Sequence, residues 1–171
     1  KPILSGKGAS ILVRKNIFWE LGGFDENFSV SFEDVEIGWK SWLWNYKVMI
    51  VPNSIVIHLA GKTTSQLKEK TQFHGVKNTL VLVLTFFEFS YILRALFMLI
   101  FSNVLKKSLG NRIGKNSKKI QEFPTYRTIF KGICWVIRNY KYIQSKRRET
   151  NSRRVLTTQK LIEMGLISYS D

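Results

Sequence analysis

The sequence EDVEIGWKSWLWNY, residues 33–46, contains the clearest helical pattern in the N-terminal part of the chain. Its apolar residues recur at steps of three and four positions, which places them on one face of an α-helix. Ser31, with Asp34 three residues further on, is typical of a capping-box start. We therefore predict a helix from Ser31 to about Tyr46. The residues expected to face a core are Val35, Trp39, Trp42, Leu43 and Tyr46.

Short stretches rich in β-branched residues lie on both sides of this helix. We predict strands over residues 10–14, 48–51 and 54–58, because their composition is typical of strands and turn residues separate the last two. Residues 16–21 are predicted to form a helix that ends at Gly22-Gly23, a pair typical of a left-handed helix cap. Strands that alternate with helices are typical of layered folds. The N-terminal part therefore predicts the α/β class.

The composition of the 171-residue chain is that of a globular protein, with 44% hydrophobic and 23% charged residues. These values exclude wholesale disorder. A single cysteine, Cys134, excludes an internal disulfide and a metal site built from cysteines. The charge is uneven, since residues 1–60 are neutral and the whole net charge of +15 lies beyond them. This asymmetry indicates an anionic surface as a partner of the C-terminal part.

Residues 79–101 are strongly apolar and are interrupted by two charges, Glu88 and Arg94. A helix of this length would span about 35 Å, enough for a bilayer core of about 30 Å. The cost of the two charges nearly cancels the apolar gain, so hydropathy alone does not decide whether the segment crosses. The basic residues that follow indicate that this flank is cytoplasmic. If residues 1–78 also work in the cytoplasm, a single crossing is impossible. We therefore predict a pair of helices that lie in or dip into the membrane face, broken near residues 88–90.

Residues 124–143 have the pattern of a basic amphipathic helix that lies at a membrane interface. Polybasic stretches follow at residues 146–148 and 153–154, and such clusters favour anionic lipid. The open alternative is that the helix packs on the rest of the chain while its charges face water. Mixed basic and aromatic residues also suit single-stranded nucleic acid. No nucleic-acid-binding motif is present, however, so nucleic acid is not the expected partner.

Two carboxylates, Glu33 and Asp34, stand at the start of the helix predicted around residues 33–46. A helix start stabilises negative charge through its exposed N–H groups, and an ionised carboxylate at the rim of a pocket can act as a general base. The alternative is a structural cap, since acidic residues are enriched in first turns. Position alone leaves both interpretations open.

These carboxylates belong to a longer ordered pattern. Residues 22–28 are GGFDENF, residues 33–37 are EDVEI, and Tyr46, Pro52 and His58 follow. This pattern resembles the C-terminal half of the catalytic domain of family 2 glycosyltransferases, which have a GT-A fold. Within that family it is most similar to the rhamnosyltransferase-like group. The resemblance is specific over about the first third of the chain.

The resemblance implies a role for each matching residue. Asp34 corresponds to the catalytic base that takes the proton of the acceptor hydroxyl, and Glu33 would orient the acceptor or the base. His58 corresponds to a histidine near the donor diphosphate that binds a metal in some members. Trp39 would stack on sugars, although its helical spacing favours core packing. The residues that would shape the acceptor side are Gly23, Phe24, Asp25 and Glu26.

The resemblance also implies a nucleotide-sugar donor, a glycan or lipid-linked acceptor, and Mg²⁺ or Mn²⁺. The family holds donor and metal through an Asp-x-Asp motif in an N-terminal half, and this chain contains no Asp-x-Asp. We therefore expect the main metal ligands to lie outside this chain, and the chain to be a fragment that is inactive alone. It would work at the cytoplasmic face of the cell membrane. The rival hypothesis is a degenerate, non-catalytic remnant that binds a membrane or a partner.

These observations divide the chain into three predicted parts. Residues 1–78 would be the C-terminal part of the catalytic domain, with a weaker resemblance that continues through Lys77-Asn78. Residues 79–123 would be an apolar, membrane-associated segment with a basic flank, and residues 124–171 basic amphipathic helices. The predicted fold is thus a partial GT-A, Rossmann-like α/β layer followed by membrane-associated α-helices.

Overall fold

The computed structural model describes residues 1–58, 68–98 and 124–167, and these are mainly helical. Helices account for 61% of them, and no sheet forms among them. A 3₁₀ turn, Glu26–Phe28, lies between the first two helices. In chain order the helices are α1 (Lys15–Glu20), α2 (Glu33–Leu43), α3 (Lys68–Phe86), α4 (89–98, helical to its last described residue), α5 (Tyr126–Arg138), α6 (Tyr140–Ser152) and α7 (Thr158–Glu163).

The predicted α/β layer, a partial GT-A or Rossmann-like sheet, is wrong for the part of the chain that the structure describes. Within those ranges, β pairing is limited to isolated bridges that join Pro2 to Met49 and Lys7 to Ser10. Residues 54–58 are exposed along their whole length. Strand composition favours an extended backbone, but a sheet also needs neighbouring strands at hydrogen-bonding distance. Among the described residues, the predicted strand at residues 48–51 makes only two such bonds, from Ile3 N to the Val48 carbonyl and from Ile50 N to the Lys1 carbonyl. Pairing in the described ranges extends no further than these isolated bridges, so the core is built from helices instead.

Helix α1 ends at the two glycines that the sequence predicts as its cap. Gly22 and Gly23 have φ values of +87° and +69°, a left-handed backbone that glycine adopts without steric cost. The N–H of Gly22 donates to the carbonyl of Trp19 at 3.0 Å, and that of Gly23 donates to Phe18 at 2.9 Å. This pair of bonds is a Schellman motif, so the predicted left-handed cap is confirmed.

Helix α2 confirms the predicted helix in this region, with shorter bounds. It begins only at Glu33 because Ser31 and Phe32 both have positive φ, +65° and +71°, which no α-helix accommodates. The N-cap residue is Phe32, which makes no side-chain cap hydrogen bond. The predicted capping role of Ser31 is therefore wrong. As predicted, the buried residues of this helix include Trp39, Trp42 and Leu43.

The apolar segment after residue 78 lies partly in the protein core. Helix α3 continues through residue 78, and its buried residues Val81, Leu82 and Phe86 join the core formed by α2. The chain then breaks before α4 starts at residue 89, which confirms the break predicted near residues 88–90. No helix in the described ranges is long and apolar enough to cross a membrane. The basic flank predicted after this segment lies outside the described residues.

The two C-terminal basic helices pack on α3. Helix α5 approaches it through Gly132, where an added Cβ would stand 2.8 Å from a methyl carbon of Val76. Helix α6 follows after Asn139. The N–H of Asn139 donates to the carbonyl of Trp135 at 3.0 Å, and that of Ile143 donates to Asn139 at 3.2 Å. Asn139 has φ −107° and ψ 24°, outside the helical range, so the first of these bonds ends α5 and the second begins α6.

Candidate active site

Glu33 and Asp34, here called the carboxylate pair, lie in the first turn of α2 and are half-buried. The backbone N–H of Gly8 donates to Asp34 Oδ2 at 2.8 Å. The N–H of Val35 donates to Asp34 Oδ1 at 2.8 Å. These two donors and the N-terminal end of the helix complement the charge of Asp34 and hold its carboxylate in one orientation. The geometry thus provides a fixed carboxylate next to a backbone turn.

The second member of the carboxylate pair has an unused acceptor. Glu33 Oε2 is buried and has no hydrogen-bond partner in the described part of the chain. A Cβ at position 8 would stand 3.5 Å from Glu33 Oε1 and 3.7 Å from Asp34 Oδ2. A long side chain there could therefore reach across both carboxylates, whereas glycine leaves that space open. A buried carboxylate oxygen without a donor is costly, and a ligand hydroxyl could satisfy it.

The turn before the carboxylate pair contains strained backbone held by a buried amide. Two consecutive non-glycine residues, Ser31 and Phe32, are left-handed, and such residues persist only where neighbouring groups hold them. Asn78 of α3, which is 0% exposed, supplies that support. Its Nδ2 donates to the carbonyl of Ser31 at 2.7 Å and to that of Val30 at 3.1 Å. Asn78 therefore helps to set where the carboxylate pair begins.

Lys77, the neighbour of Asn78, also binds the loop before α2. Its buried ammonium donates to the backbone carbonyl of Asn27 and lies 4.8 Å from the ring centre of Trp135 on α5. Burial lowers the pKa of Lys77 below its ordinary value, and the charge of Asp25 opposes that effect. Lys77 and Asn78, which are adjacent on α3, thus hold the loop through backbone carbonyls at two points, residue 27 and residues 30–31.

Asp25, predicted to shape the acceptor side, has both carboxylate oxygens engaged within the protein. Oδ1 accepts from the N–H of Asn27 at 2.9 Å. Oδ2 accepts from the hydroxyl of Tyr142 and from the ammonium of Lys146, each at 2.5 Å. The same ammonium lies 2.8 Å from Glu36 Oε1. We call Asp25, Glu36, Tyr142 and Lys146 the Lys146 cluster; it fastens the loop to α6.

The Lys146 cluster contains one shared cation between two carboxylates. Burial disfavours the charge on Asp25, but hydrogen bonds from Lys146 and Tyr142 outweigh it and lower the pKa of Asp25 to about 2. Burial raises the pKa of Glu36, against the attraction of Lys146. Burial would lower the pKa of Lys146, but Glu36 and Asp25 together raise it. The cluster is therefore strongest with Asp25 and Lys146 both charged.

The Lys146 cluster and Asp34 lie on different sides of α2. Glu36 and Asp34 are two positions apart, which corresponds to about 200° around a helix axis. Since Lys146 bridges Glu36 and Asp25, the structure places the Asp25 side chain with α6 and not next to Asp34. Asp25 can still affect Asp34 indirectly, through the position of the loop.

Other residues predicted for the acceptor side differ in their accessibility. Gly23 is buried, whereas Glu26 is exposed. Phe24 is 47% exposed, and its ring meets the ring of Phe18 edge-on, with the centres 5.2 Å apart. Among these three residues, Phe24 and Glu26 are therefore the ones that a ligand could reach.

Trp39 and His58 occupy opposite environments. Trp39 is 7% exposed, and its ring centre lies 4.9 Å from that of Phe87 and 5.6 Å from that of Phe86. The structure therefore places Trp39 in the core. His58 is exposed. No group of three or more His, Cys, Asp or Glu residues that could hold a metal occurs in the ranges that the structure describes.

Sequence reasoning missed the residues that connect α6 to this region. Lys40 Nζ donates to the carbonyl of Leu21 and to Glu149 Oε1, each at 2.7 Å. Glu36 and Lys40 of α2 thus match Lys146 and Glu149 of α6, with opposite charges in register. On each helix the two charged residues are three or four positions apart, which is about one helical turn. These matching pairs of opposite charge are the sequence signal that could have indicated the contact. No sequence pattern indicated that the N–H of Gly8 would donate to Asp34.

Comparison with known proteins gives one partial similarity. No family model and no solved structure match the chain. It is similar to N-acetylglucosaminyl-diphospho-decaprenol L-rhamnosyltransferase from Mycobacterium tuberculosis, in strains CDC 1551 / Oshkosh and ATCC 25618 / H37Rv. Each relative is 30% identical over 66 residues, which make up 39% of this chain and 22% of the relative. The similarity is to a glycosyltransferase. It spans about a fifth of the length of these relatives.

Proposed function

We propose that this chain carries the acceptor-activating part of an inverting family 2 glycosyltransferase, with Asp34 as the general base. The observation that carries the proposal is the partial similarity to a rhamnosyltransferase. The fixed carboxylate at the start of α2 supports the assignment of the base. The acceptor is a glycan or a lipid-linked sugar, and the donor is a nucleotide-sugar.

The proposed chemistry is a single displacement in which Asp34 takes one proton. The acceptor oxygen attacks the anomeric carbon of the donor sugar, and the bond from that carbon to the nucleoside diphosphate breaks. The hydroxyl proton passes to the carboxylate of Asp34, and the bond pair leaves with the diphosphate. Attack from the side opposite the leaving group inverts the anomeric configuration. A base positioned in this way contributes a factor of about 10²–10⁴ to the rate.

Glu33 has a separate proposed role, which is to orient the acceptor. Its buried Oε2 lacks a donor, and an acceptor sugar would supply one through a hydroxyl group. Binding of that hydroxyl would recover the free energy lost by burying an unpaired oxygen. Phe24 is exposed enough to contact the apolar face of a sugar. These contacts would fix the acceptor while Asp34 takes the proton.

The roles proposed for Asp34 and Glu33 do not depend on the proposed metal, Mg²⁺ or Mn²⁺. His58 alone does not make a metal site, and the described ranges contain no cluster of three ligating side chains. The expectation that the main ligands belong outside this chain therefore stays a prediction. The membrane location stays a prediction as well.

The direct test is a transfer assay with the full-length protein. A panel of nucleotide-activated sugars, including an activated L-rhamnose, would be offered with N-acetylglucosaminyl-diphospho-polyprenol as acceptor. The proposal expects a disaccharide-lipid whose new linkage, measured by NMR, has the configuration opposite to that of the donor. Retained configuration would exclude a single displacement. No transfer from any donor in the panel would favour the rival hypothesis of a non-catalytic remnant.

A further inference from the structure

One face of helix α5 is apolar and exposed. Helices of soluble proteins usually turn such a face towards the core, but α5 packs on α3 through other residues, Thr128 and Gly132, which are buried. The outward residues are between 42% and 67% exposed and follow steps of three and four positions. We call them the apolar stripe: Tyr126, Phe130, Ile133 and Ile137 of α5, with Tyr140 at the start of α6.

A row of basic residues borders the apolar stripe. We call it the basic edge. On α5 it consists of Arg127, Lys131 and Arg138, each one position after a stripe residue and so about 100° around the helix from it. Lys141, in the first turn of α6, completes it. Lys131 lies 3.0 Å from Glu69 of α3. Arg138 and Lys141 are exposed and form no ion pair within the described part of the chain. The outer surface of α5 therefore offers apolar side chains with positive charge along one border.

We propose that α5 binds in the plane of an anionic lipid surface, with the apolar stripe in the acyl boundary and the basic edge on the headgroups. This distribution of apolar and basic residues is what an interfacial helix requires. The first and last residues of the apolar stripe are tyrosines, Tyr126 and Tyr140, and tyrosine favours the boundary between lipid and water. The helix lies on the surface and does not span it.

Charge favours lipid over a second copy of this chain as the occupant of the apolar stripe. The chain has a net charge of +15, so an anionic surface attracts it as a whole. A symmetric dimer through the apolar stripe would bring two basic edges close together, and like charges on two copies repel. The same edge strengthens binding to anionic headgroups, each basic residue adding to the attraction.

Lipid binding would also orient the candidate active site. Helix α6 follows α5 directly after Asn139 and binds the loop before α2 through the Lys146 cluster. A docked α5 would therefore keep this loop close to the lipid surface. The inference concerns α5 alone and does not depend on the proposed sugar transfer, since lipid binding can be measured in the absence of any donor.

The test is flotation of the full-length protein with vesicles of phosphatidylglycerol and phosphatidylcholine, compared with pure phosphatidylcholine. The stripe variant is Phe130→Glu with Ile137→Glu. The matched control is Leu12→Glu with Ile57→Glu, which places the same two charges at exposed apolar positions, 100% and 90% exposed, far from α5 in sequence. We expect the wild type to float with the anionic vesicles. The stripe variant should bind at least tenfold more weakly, and the control within twofold of the wild type.

Equal flotation of the stripe variant and the wild type would overturn the proposal. So would a wild-type protein that sediments as a dimer and becomes monomeric in the stripe variant while vesicle binding is unchanged, since the stripe would then contact a second copy. All changed positions are exposed, so circular dichroism and thermal unfolding should match the wild type. A variant that unfolds early would be replaced by Phe130→Ser with Ile137→Ser, for which the same tenfold loss is expected.

Discussion

Helices α5 and α6 come from one continuous basic stretch, yet their charges lie in different surroundings. In α6, Lys146 binds Asp25 and Glu36, and Arg147 donates to the carbonyls of Leu84 and Phe87, each at 2.7 Å. By contrast, Arg138 at the end of α5 and Lys141 in the first turn of α6, both in the basic edge, are exposed and have no ion pair in the described residues. Composition is similar in the two helices. The difference is that Lys146 and Arg147 of α6 contact acidic side chains and backbone carbonyls near the end of α3. Basic side chains are available to an external anion only where the fold offers them no such partner.

The largest expected effect on stability follows from removing the buried ammonium group of Lys146, which distinguishes α6 from the basic edge. Lys146→Met leaves Asp25 and Glu36 without their shared partner. Removal of one partner from a buried ion pair costs about 3–5 kcal/mol, so we expect the free energy of unfolding to fall by that amount. Urea denaturation measures it. The control is Arg148→Met on the same helix, at an exposed position, which should change stability by less than about 0.5 kcal/mol. Similar values for both variants would contradict a structural role for Lys146.

The second effect concerns the pH dependence of the Lys146 cluster. The pKa of Asp25 is about 2 in the folded protein and 3.8 ordinarily. A lowered pKa means that ionised Asp25 stabilises the folded state above pH 4 and that this stabilisation disappears as the pH falls from about 4 to 2. Asp25→Asn should therefore cost about 2 kcal/mol at pH 7 and almost nothing at pH 2. A difference between variant and wild type that is independent of pH would contradict the assignment.

A third, smaller effect concerns the strained turn before α2. Asn78→Ala removes the donor that serves two carbonyls, and we expect the free energy of unfolding to fall by about 1–2 kcal/mol. Thr79→Ala is the neighbouring control, since it loses only a bond to a carbonyl of its own helix. Hydrogen exchange of the first-turn amides of α2 should rise in the Asn78 variant alone. Unchanged exchange there would show that Asn78 does not hold the turn.

The smallest expected effect on stability belongs to the basic edge. Arg138→Gln with Lys141→Gln should leave the free energy of unfolding within about 0.5 kcal/mol of the wild type, because neither side chain has an ion pair in the described chain. Binding to anionic vesicles should weaken by about 2 kcal/mol in total, roughly 30-fold. A large loss of stability would show that these two charges are bound within the protein, as Lys146 and Arg147 are, and would contradict the contrast.

The two helices also show which features the sequence could predict. Local spacing was sufficient for α1, α2 and the break before α4, because helical periodicity and glycine caps act over a few residues. The predicted strands were wrong because sheet pairing depends on distant partners. The Lys146 cluster was missed for the same reason, since Lys146 and Asp25 are 121 positions apart. For the candidate site, the sequence pattern indicated Glu33 and Asp34. The hydrogen bond from Gly8 to Asp34 joins residues 26 positions apart and could not be predicted from local spacing.

The decisive experiment for the proposed base measures sugar transfer by the full-length protein with Asp34→Asn. Asparagine has almost the same shape and keeps one of the two acceptor oxygens that bind the N–H groups of Gly8 and Val35, but it cannot take a proton. We expect kcat to fall by a factor of about 10²–10⁴, with donor affinity within twofold of the wild type. The matched control is Glu163→Gln on α7, a surface carboxylate that should leave both values unchanged. Wild-type turnover in the Asp34 variant would contradict the assignment of the base.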